Sequence, residues 1–451
     1  MSYPISLSFT DSLMLTLPSS FRHEAADEIK QAVFGSSVRG CKVDFHDKHE
    51  IRLSKDLFDH LHLPLQKTQV FVHGESVYFG PLIGIFTAGF TESILRPVGS
   101  RSLLFAKFLT AQRAAGVAAY VFGSHSIDWL SGTVSACVFD DDGWRRTTLP
   151  LPNAVYDRLP NRQIEDHRAI QEIKKRLSLE YGIPWFNPGF FDKWTIHKLL
   201  VASPEASAYL PETLPGADVS DIHTMLVRCG SVFLKPKNGS LGRGIFQLIY
   251  DPEKKEYYSR YRSGTDRNML RKYQSLDAFF THSFGDRNPD EYVIQQRIKL
   301  LKSGKQKMDF RVHTNKDGSG RFQVTAIAAK VAGKGSATTH LENGGAVRTL
   351  QELFQTEAER NYAFRSLKNA ALNLSVEIDK GTSGHIGEIG FDLGIDTDGA
   401  VWMFEANSKP GRSIFSHPDL READRISTEL SLQYAKYLTR KAIMEPETLF
   451  T

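Results

Sequence analysis

Cysteine is scarce. Three residues in 451, Cys41, Cys137 and Cys229, are scattered with no Cys-x-x-Cys pair. That excludes a disulfide scaffold and points to a reducing compartment. Long apolar runs are missing too: none approaches the roughly 18–20 residues that a membrane span needs. No basic residue precedes Arg22, so no secretory signal is expected. An excess of one charge is also absent. Lys+Arg 56 against Asp+Glu 52 leaves +4, and no basic stripe of the kind that tracks nucleic acid is seen. A cytoplasmic protein without nucleic-acid or membrane partners is expected.

What is present is an ordinary globular composition, 41% hydrophobic and 24% charged. At about 100–200 residues per domain, the length predicts two to four domains. Residues 1–78 alternate short apolar runs with polar turns, as at Val70-Phe71-Val72 before His73-Gly74, and read as a β-rich N-terminal domain. Over 79–162 a strand is expected at 81–86. A helix follows over 101–116, with Leu104, Phe108, Ala111 and Ala115 on one face, and then strands at 117–122 and 133–139. This is a small α/β domain. A single helix over 163–181 opens a third unit, 163–290, and a fourth covers 291–445. Helices are also expected at 191–203, 357–374 and 419–441. No internal repeat of 20–50 residues is evident.

Two segments carry chemistry. In the first, the apolar strand Ser231-Val232-Phe233-Leu234 runs into Lys235-Pro236-Lys237-Asn238-Gly239-Ser240-Leu241-Gly242-Arg243-Gly244, then into a second strand. The glycines let backbone N–H groups face an anion, and Lys235 adds a point charge. A plain flexible hairpin would look similar. The Walker A and dinucleotide-binding glycine patterns are both absent.

The second segment is 388–407. Ile389, Phe391, Leu393 and Ile395 alternate, as do Trp402, Phe404 and Ala406. Asp398-Gly399 is a two-residue hairpin signal. Centring the turn there pairs Phe391 with Ala406, Leu393 with Phe404 and Ile395 with Trp402 on an apolar face. It sets Asp392 opposite Glu405 on the other face, with Asn407 diagonal. Directly opposed Cβ atoms are about 4.5–5.5 Å apart, and two carboxylates there repel by roughly 1–4 kcal/mol. A hard divalent cation held by oxygen ligands would offset that. A solvated sheet face is the bland alternative.

A strand-end Lys-Pro with a glycine loop, followed by an Asp…Glu-x-Asn hairpin, resembles the ATP-grasp superfamily. The stretches Pro150-Leu151-Pro152-Asn153-Ala154-Val155-Tyr156-Asp157-Arg158-Leu159-Pro160-Asn161-Arg162 and Phe233-Leu234-Lys235-Pro236 are similar to the YheC/YheD family of endospore coat-associated proteins. The resemblance implies an α+β fold in which two lobes clamp ATP, preceded by a small α/β pre-ATP-grasp domain and the β-rich N-terminal region. It implies that Lys193 or Lys198, with Lys235, Gly239, Ser240, Gly242 and Gly244, faces the phosphates. The segment around Gln295, Gln296 and Ile298 would read adenine. Asp392, Glu405 and Asn407 would hold Mg²⁺. Arg311, in a D-x-R strand, and Lys330 would carry catalysis, although a lysine supplies charge without the arginine fork. Ordinary surface charges are the alternative for both. Asn343-Gly344-Gly345 would lie near the substrate.

The function implied is ATP-dependent ligation of a carboxylate to an amine through an acyl phosphate. The rival is a non-catalytic ATP-binding protein of structural or regulatory type. Spore coat proteins are implied as further partners, and coat association as a further location.

Overall fold

The computed structural model describes residues 2–9, 12–23, 29–63, 67–238, 244–262, 268–304, 306–332 and 345–449. The N-terminal residues form two small sheets, one of five strands and one of four, closed around Leu15, Leu17, Ile51, Leu53 and Leu57. An order of strand, helical turn and hairpin runs through Met14–Pro18, Ser19–His23, Gln31–Phe34 and Ser37–Gly40. It recurs as Ile51–Ser54, Lys55–Leu61, Thr68–His73 and Ser76–Phe79. No repeat was expected from the sequence, because the two halves share turn and strand positions more than residue identities.

Next in the chain, strand Leu82–Phe86 is flanked by parallel strands Ala118–Phe122 and Ala154–Asp157. Helix Ser102–Ala115 packs Phe105, Phe108 and Leu109 against them and is closed by Gly116 at φ 67. That positive φ is cheap only for glycine. The expected single helix over 163–181 is instead two, Arg162–Glu165 and Arg168–Leu179. The break turns Glu165 inward, onto the ammonium groups of Lys174 (3.0 Å) and Lys409 (2.5 Å).

The first lobe is an antiparallel sheet ordered Thr213–Pro215, Tyr292–Gln296, Ser231–Pro236, Phe246–Asp251, Glu256–Arg262, Asn268–Tyr273. Val232, Leu234 and Leu248 bury one face against Ile222, Met225 and Leu226 of helix Val219–Cys229. Alternation sends Phe233, Lys235, Gln247, Arg260, Val293 and Gln295 to the opposite face.

The second lobe is ordered Ala346–Arg348, Phe322–Val331, Gln306–Lys316, Glu388–Ile395, Val401–Asn407. Helix Glu357–Gly381 opens with a Thr356/Glu359 capping box and runs past the expected end at 374. It buries Ala363, Leu367, Ala370 and Leu374 against Phe310, Val312, Ile389 and Phe391. Helix Arg421–Met444 crosses back and packs Tyr434 and Leu438 against Phe105, Phe108 and Tyr156. One apolar cluster therefore joins the α/β domain to the C-terminal helix. Among the described residues no helix is long and apolar enough to cross a membrane.

Candidate functional site

The hairpin keeps its expected register at the site and loses it near the turn. Gly390 faces Asn407, Phe391 faces Ala406 and Asp392 faces Glu405. Beyond them Leu393 faces Met403 and Ile395 faces Val401, so the expected pairs Leu393–Phe404 and Ile395–Trp402 do not form. The turn is longer than Asp398-Gly399. The Asp396 N–H donates to the Ala400 carbonyl at 3.0 Å, and Gly399 takes φ 92. The Asp396 carboxylate accepts from the Asp398 and Ala400 N–H groups and from Trp402 Nε1. A register shift between Asp392 and Leu393 then absorbs one residue of the facing strand. Met403 is thereby buried in the core, while Phe404 turns into the interlobe cleft, its ring 5.5 Å from Lys235 Nζ.

The opposed carboxylates are offset by cations of the chain itself. Arg311 donates to both oxygens of Asp392, Nε at 2.8 Å and Nη2 at 3.3 Å. Lys330 Nζ lies 2.9 Å from Asp392 and 3.3 Å from Asp309. Lys193 Nζ holds Glu405 at 2.8 Å. Arg311 is 14% exposed and Lys330 6%, which removes the surface-charge alternative for both. Burial opposes the charge on Lys330, yet Asp309 and Asp392 outweigh it and raise the ammonium pKa. Burial pulls Lys235 down to about 8, against the attraction of Glu405. Lys235 Nζ donates to Gln295 Oε1, whose Nε2 reaches Thr213 Oγ1 at 3.2 Å.

A helix cap sets where the two upstream lysines stand. Asp192 accepts from the Thr195 N–H at 2.8 Å, which starts helix Lys193–Val201 at Lys193. Lys193 then points at Glu405, whereas Lys198 is exposed. Gln296 accepts from the Glu212 N–H at 3.4 Å, and Ile298 is half-buried just past its strand. Gly244 sits at φ 72. Gly239, Ser240, Gly242, Asn343 and Gly344 lie outside the described residues.

Asn407 gives Nδ2 to the Gly390 carbonyl at 3.3 Å. Its Oδ1 stands on the same strand face as Glu405, two residues away. Two carboxylates and an amide oxygen form an all-oxygen donor set, which fits Mg²⁺ rather than a softer metal. Among the described residues no group of three or more His, Cys, Asp or Glu side chains could hold a metal, so the third donor would have to be the amide.

The sequence reading missed Phe404, His197 and Thr213, which line the same cleft. His197 lies four residues after Lys193, a helical spacing that could have found it. Phe404 had no signal, since only the bulge sends it into the cleft.

Beneath the site, Glu388 is fully buried. It accepts from the Tyr156 hydroxyl, from Arg158 Nη1 at 3.3 Å and from Arg412 Nη1 at 3.2 Å. Burial works against its charge, but Arg158 and Arg412 outweigh that and hold the carboxyl at about 2. His313 is buried beside it, and neither ring nitrogen has a hydrogen-bond partner. Burial pushes His313 down to about 4.

The folded chain therefore refuses a proton that the unfolded chain accepts near pH 6.5. Stability should rise with pH between about 4 and 6.5, by roughly 3 kcal/mol for this group. Melting temperatures at pH 5 and pH 7.5 check this. The difference should shrink in His313→Leu, and an equal slope in both proteins would refute the assignment.

Gly390 is pinned as well. A Cβ there would stand 2.4 Å from Pro410 Cβ and 3.0 Å from Arg311 Nη1. Gly390→Ala should cost about 1–3 kcal/mol through forced displacement, read as a lower urea midpoint.

Paired antiparallel lobes facing each other across a charged cleft define the ATP-grasp class. Residues 182–438 match the family model described as YheC/D like ATP-grasp. Over 457 aligned residues the chain is 43% identical to endospore coat-associated protein YheD of Bacillus subtilis (strain 168), covering 99% of the chain and 98% of the relative. It is 23% identical to endospore coat-associated protein YheC of the same organism over 297 residues, 65% of the chain and 80% of the relative. Among solved structures, D-alanyl-alanine synthetase A from Vibrio cholerae O1 biovar eltor str. N16961 is similar at TM-score 0.42 and 13% identity, over 82% of this chain and 98% of that one. The chain belongs to the YheC/YheD family of ATP-grasp proteins.

Proposed function

We propose that the protein binds ATP with Mg²⁺ and ligates a carboxylate to an amine through an acyl phosphate. The observation that carries this reading is the opposition of Asp392 and Glu405 within reach of four cations, Lys193, Lys235, Arg311 and Lys330. Against Asp309, Asp392 and Glu405, those cations leave one net positive charge, which suits an anionic nucleotide.

Asp392, Glu405 and Asn407 would hold Mg²⁺, which when bound supplies charge neutralisation at phosphate oxygens. Lys193 exchanges Glu405 for a phosphate oxygen, Lys235 adds a second contact, and Gly239, Ser240, Gly242 and Gly244 are assigned as backbone donors to the phosphates. Gln295, Gln296 and Ile298 with the Phe404 ring receive the nucleobase. The substrate carboxylate attacks the γ-phosphorus and ADP leaves. The amine then attacks the acyl carbon, and inorganic phosphate leaves with the bonding pair. Arg311 and Lys330 hold the charge that develops on the transferring group. No covalent enzyme intermediate is required. The name of the 43%-identical relative supports an association with the endospore coat.

The test is ADP release by the full chain with pools of carboxylic acids and amines. Release that depends on both acceptors is expected. Nucleotide binding without acceptor-dependent release would leave the non-catalytic alternative standing. Absence of Mg-ATP binding in calorimetry would overturn both.

A further inference from the structure

Among the described residues, four neighbouring cations, Arg260, Arg297, Lys302 and Lys307, have no carboxylate partner. Lys302 and Lys307 are direct cross-strand partners in the pairing of Lys302–Ser303 with Gln306–Lys316. Like charges placed so repel. Arg260 stands on the face of the first-lobe sheet that also carries Gln247 and Phe233, its neighbours across the pairing. Arg297 follows the strand Tyr292–Gln296. Among the described residues none of the four side chains makes a hydrogen bond or an ion pair. Lys307 is half-buried. Burial draws its pKa down to about 8, and the neighbouring charges acting on it are all cations, Arg297, Arg260 and Lys302.

A cluster of this kind contrasts with the rest of the cleft, where Lys193, Arg311 and Lys330 each hold a carboxylate. Lys307 shares the strand face of Asp309 and Arg311, but four residues of strand separate it from Arg311 by roughly 13 Å. A triphosphate held at Arg311 and Lys193 would not reach it.

We propose that Arg260, Arg297, Lys302 and Lys307 form a polyanion-binding site, distinct from the Asp392 centre, that takes a ligand bearing two or more phosphate or carboxylate charges. The site goes beyond the nucleotide assignment and does not depend on it. Bringing an anion between the two lysines removes their repulsion, and the neighbouring guanidinium groups of Arg260 and Arg297 add further donors. An occupied site therefore ties one lobe to the other.

Calorimetry on the full chain at low ionic strength, with EDTA present, tests this. The probes are inorganic tripolyphosphate and, separately, tri-glutamate. At least one should bind the Lys193→Ala protein, whose nucleotide-phosphate contact is removed, and bind at least tenfold more weakly once Lys302→Ala and Lys307→Met are added. The probe that binds tells phosphate from carboxylate chemistry. Binding of neither probe would overturn the proposal. Equal binding with and without the Lys302→Ala/Lys307→Met pair would overturn it too. A second variant guards against misfolding. Lys302→Glu makes the cross-strand pair attractive and should raise the melting temperature of the free protein by about 1–2 °C while removing the stabilisation by the probe. An unchanged or lower melting temperature would mean the lysines do not repel, and would equally sink the idea.

Discussion

Asp392→Asn is expected to abolish acceptor-dependent ADP release, by at least about 100-fold, the scale on which a single charge-stabilising group acts in a dry site. The side chain is 6% exposed and central to the charge arrangement. Arg311 grips both its oxygens, and Lys330 grips one. The amide keeps the shape and loses the charge, so the proposed Mg²⁺ site would lose a ligand while Arg311 loses its only ion-pair partner among the described residues. Removing one member of a buried pair costs about 3–5 kcal/mol. The lower edge applies here, because Lys330 retains Asp309 at 3.3 Å. Circular dichroism and a urea midpoint report the stability loss, and coupled ADP detection reports turnover. A folded variant that turns over like the parent would refute the metal assignment.

Glu388→Gln is expected to destabilise more than any other single carboxylate change outside the cleft, by about 3–5 kcal/mol. Glu388 is fully buried between Arg158 and Arg412, which come from opposite sides of the interface between the α/β domain and the second lobe. Arg412 keeps Asp424 at 2.7 Å, but Arg158 is left with the Pro410 carbonyl at 3.3 Å.

The pH dependence follows from a carboxyl held at about 2 against an ordinary value of 4.5. Its contribution is complete above the ordinary value and fades as pH falls through about 2. Acid titration of the melting temperature should therefore be shallower in the variant below pH 4.5. An identical acid limb would show that Glu388 is not the group being protonated.

Much of this arrangement was readable from local pattern. Alternation at 389–395 and 402–406 placed Asp392 opposite Glu405, and the pairing holds. It holds although the turn was misplaced by one residue, because a bulge at Phe404 cancels the error before the site is reached. The helix at 101–116 was legible from apolar spacing and a closing glycine. The break at 166–167 was not, since the ion pairs Glu165 makes there with Lys174 and Lys409 leave no mark on the local pattern. The ring of Phe404 was assigned to the core for the same kind of reason, as a bulge leaves no mark on a two-residue period.

Local sequence determined which side chains share a face, because strand and helix periods are properties of neighbouring backbone bonds. Tertiary structure alone decided which charges meet. Lys193 and Glu405 stand 212 positions apart, Arg158 and Glu388 230, and Lys409 and Asp157 252. Such pairs are selected by long-range packing and by the cost of burying an unmatched charge. That is also why the carboxylates expected to need a metal were found already matched by lysine and arginine.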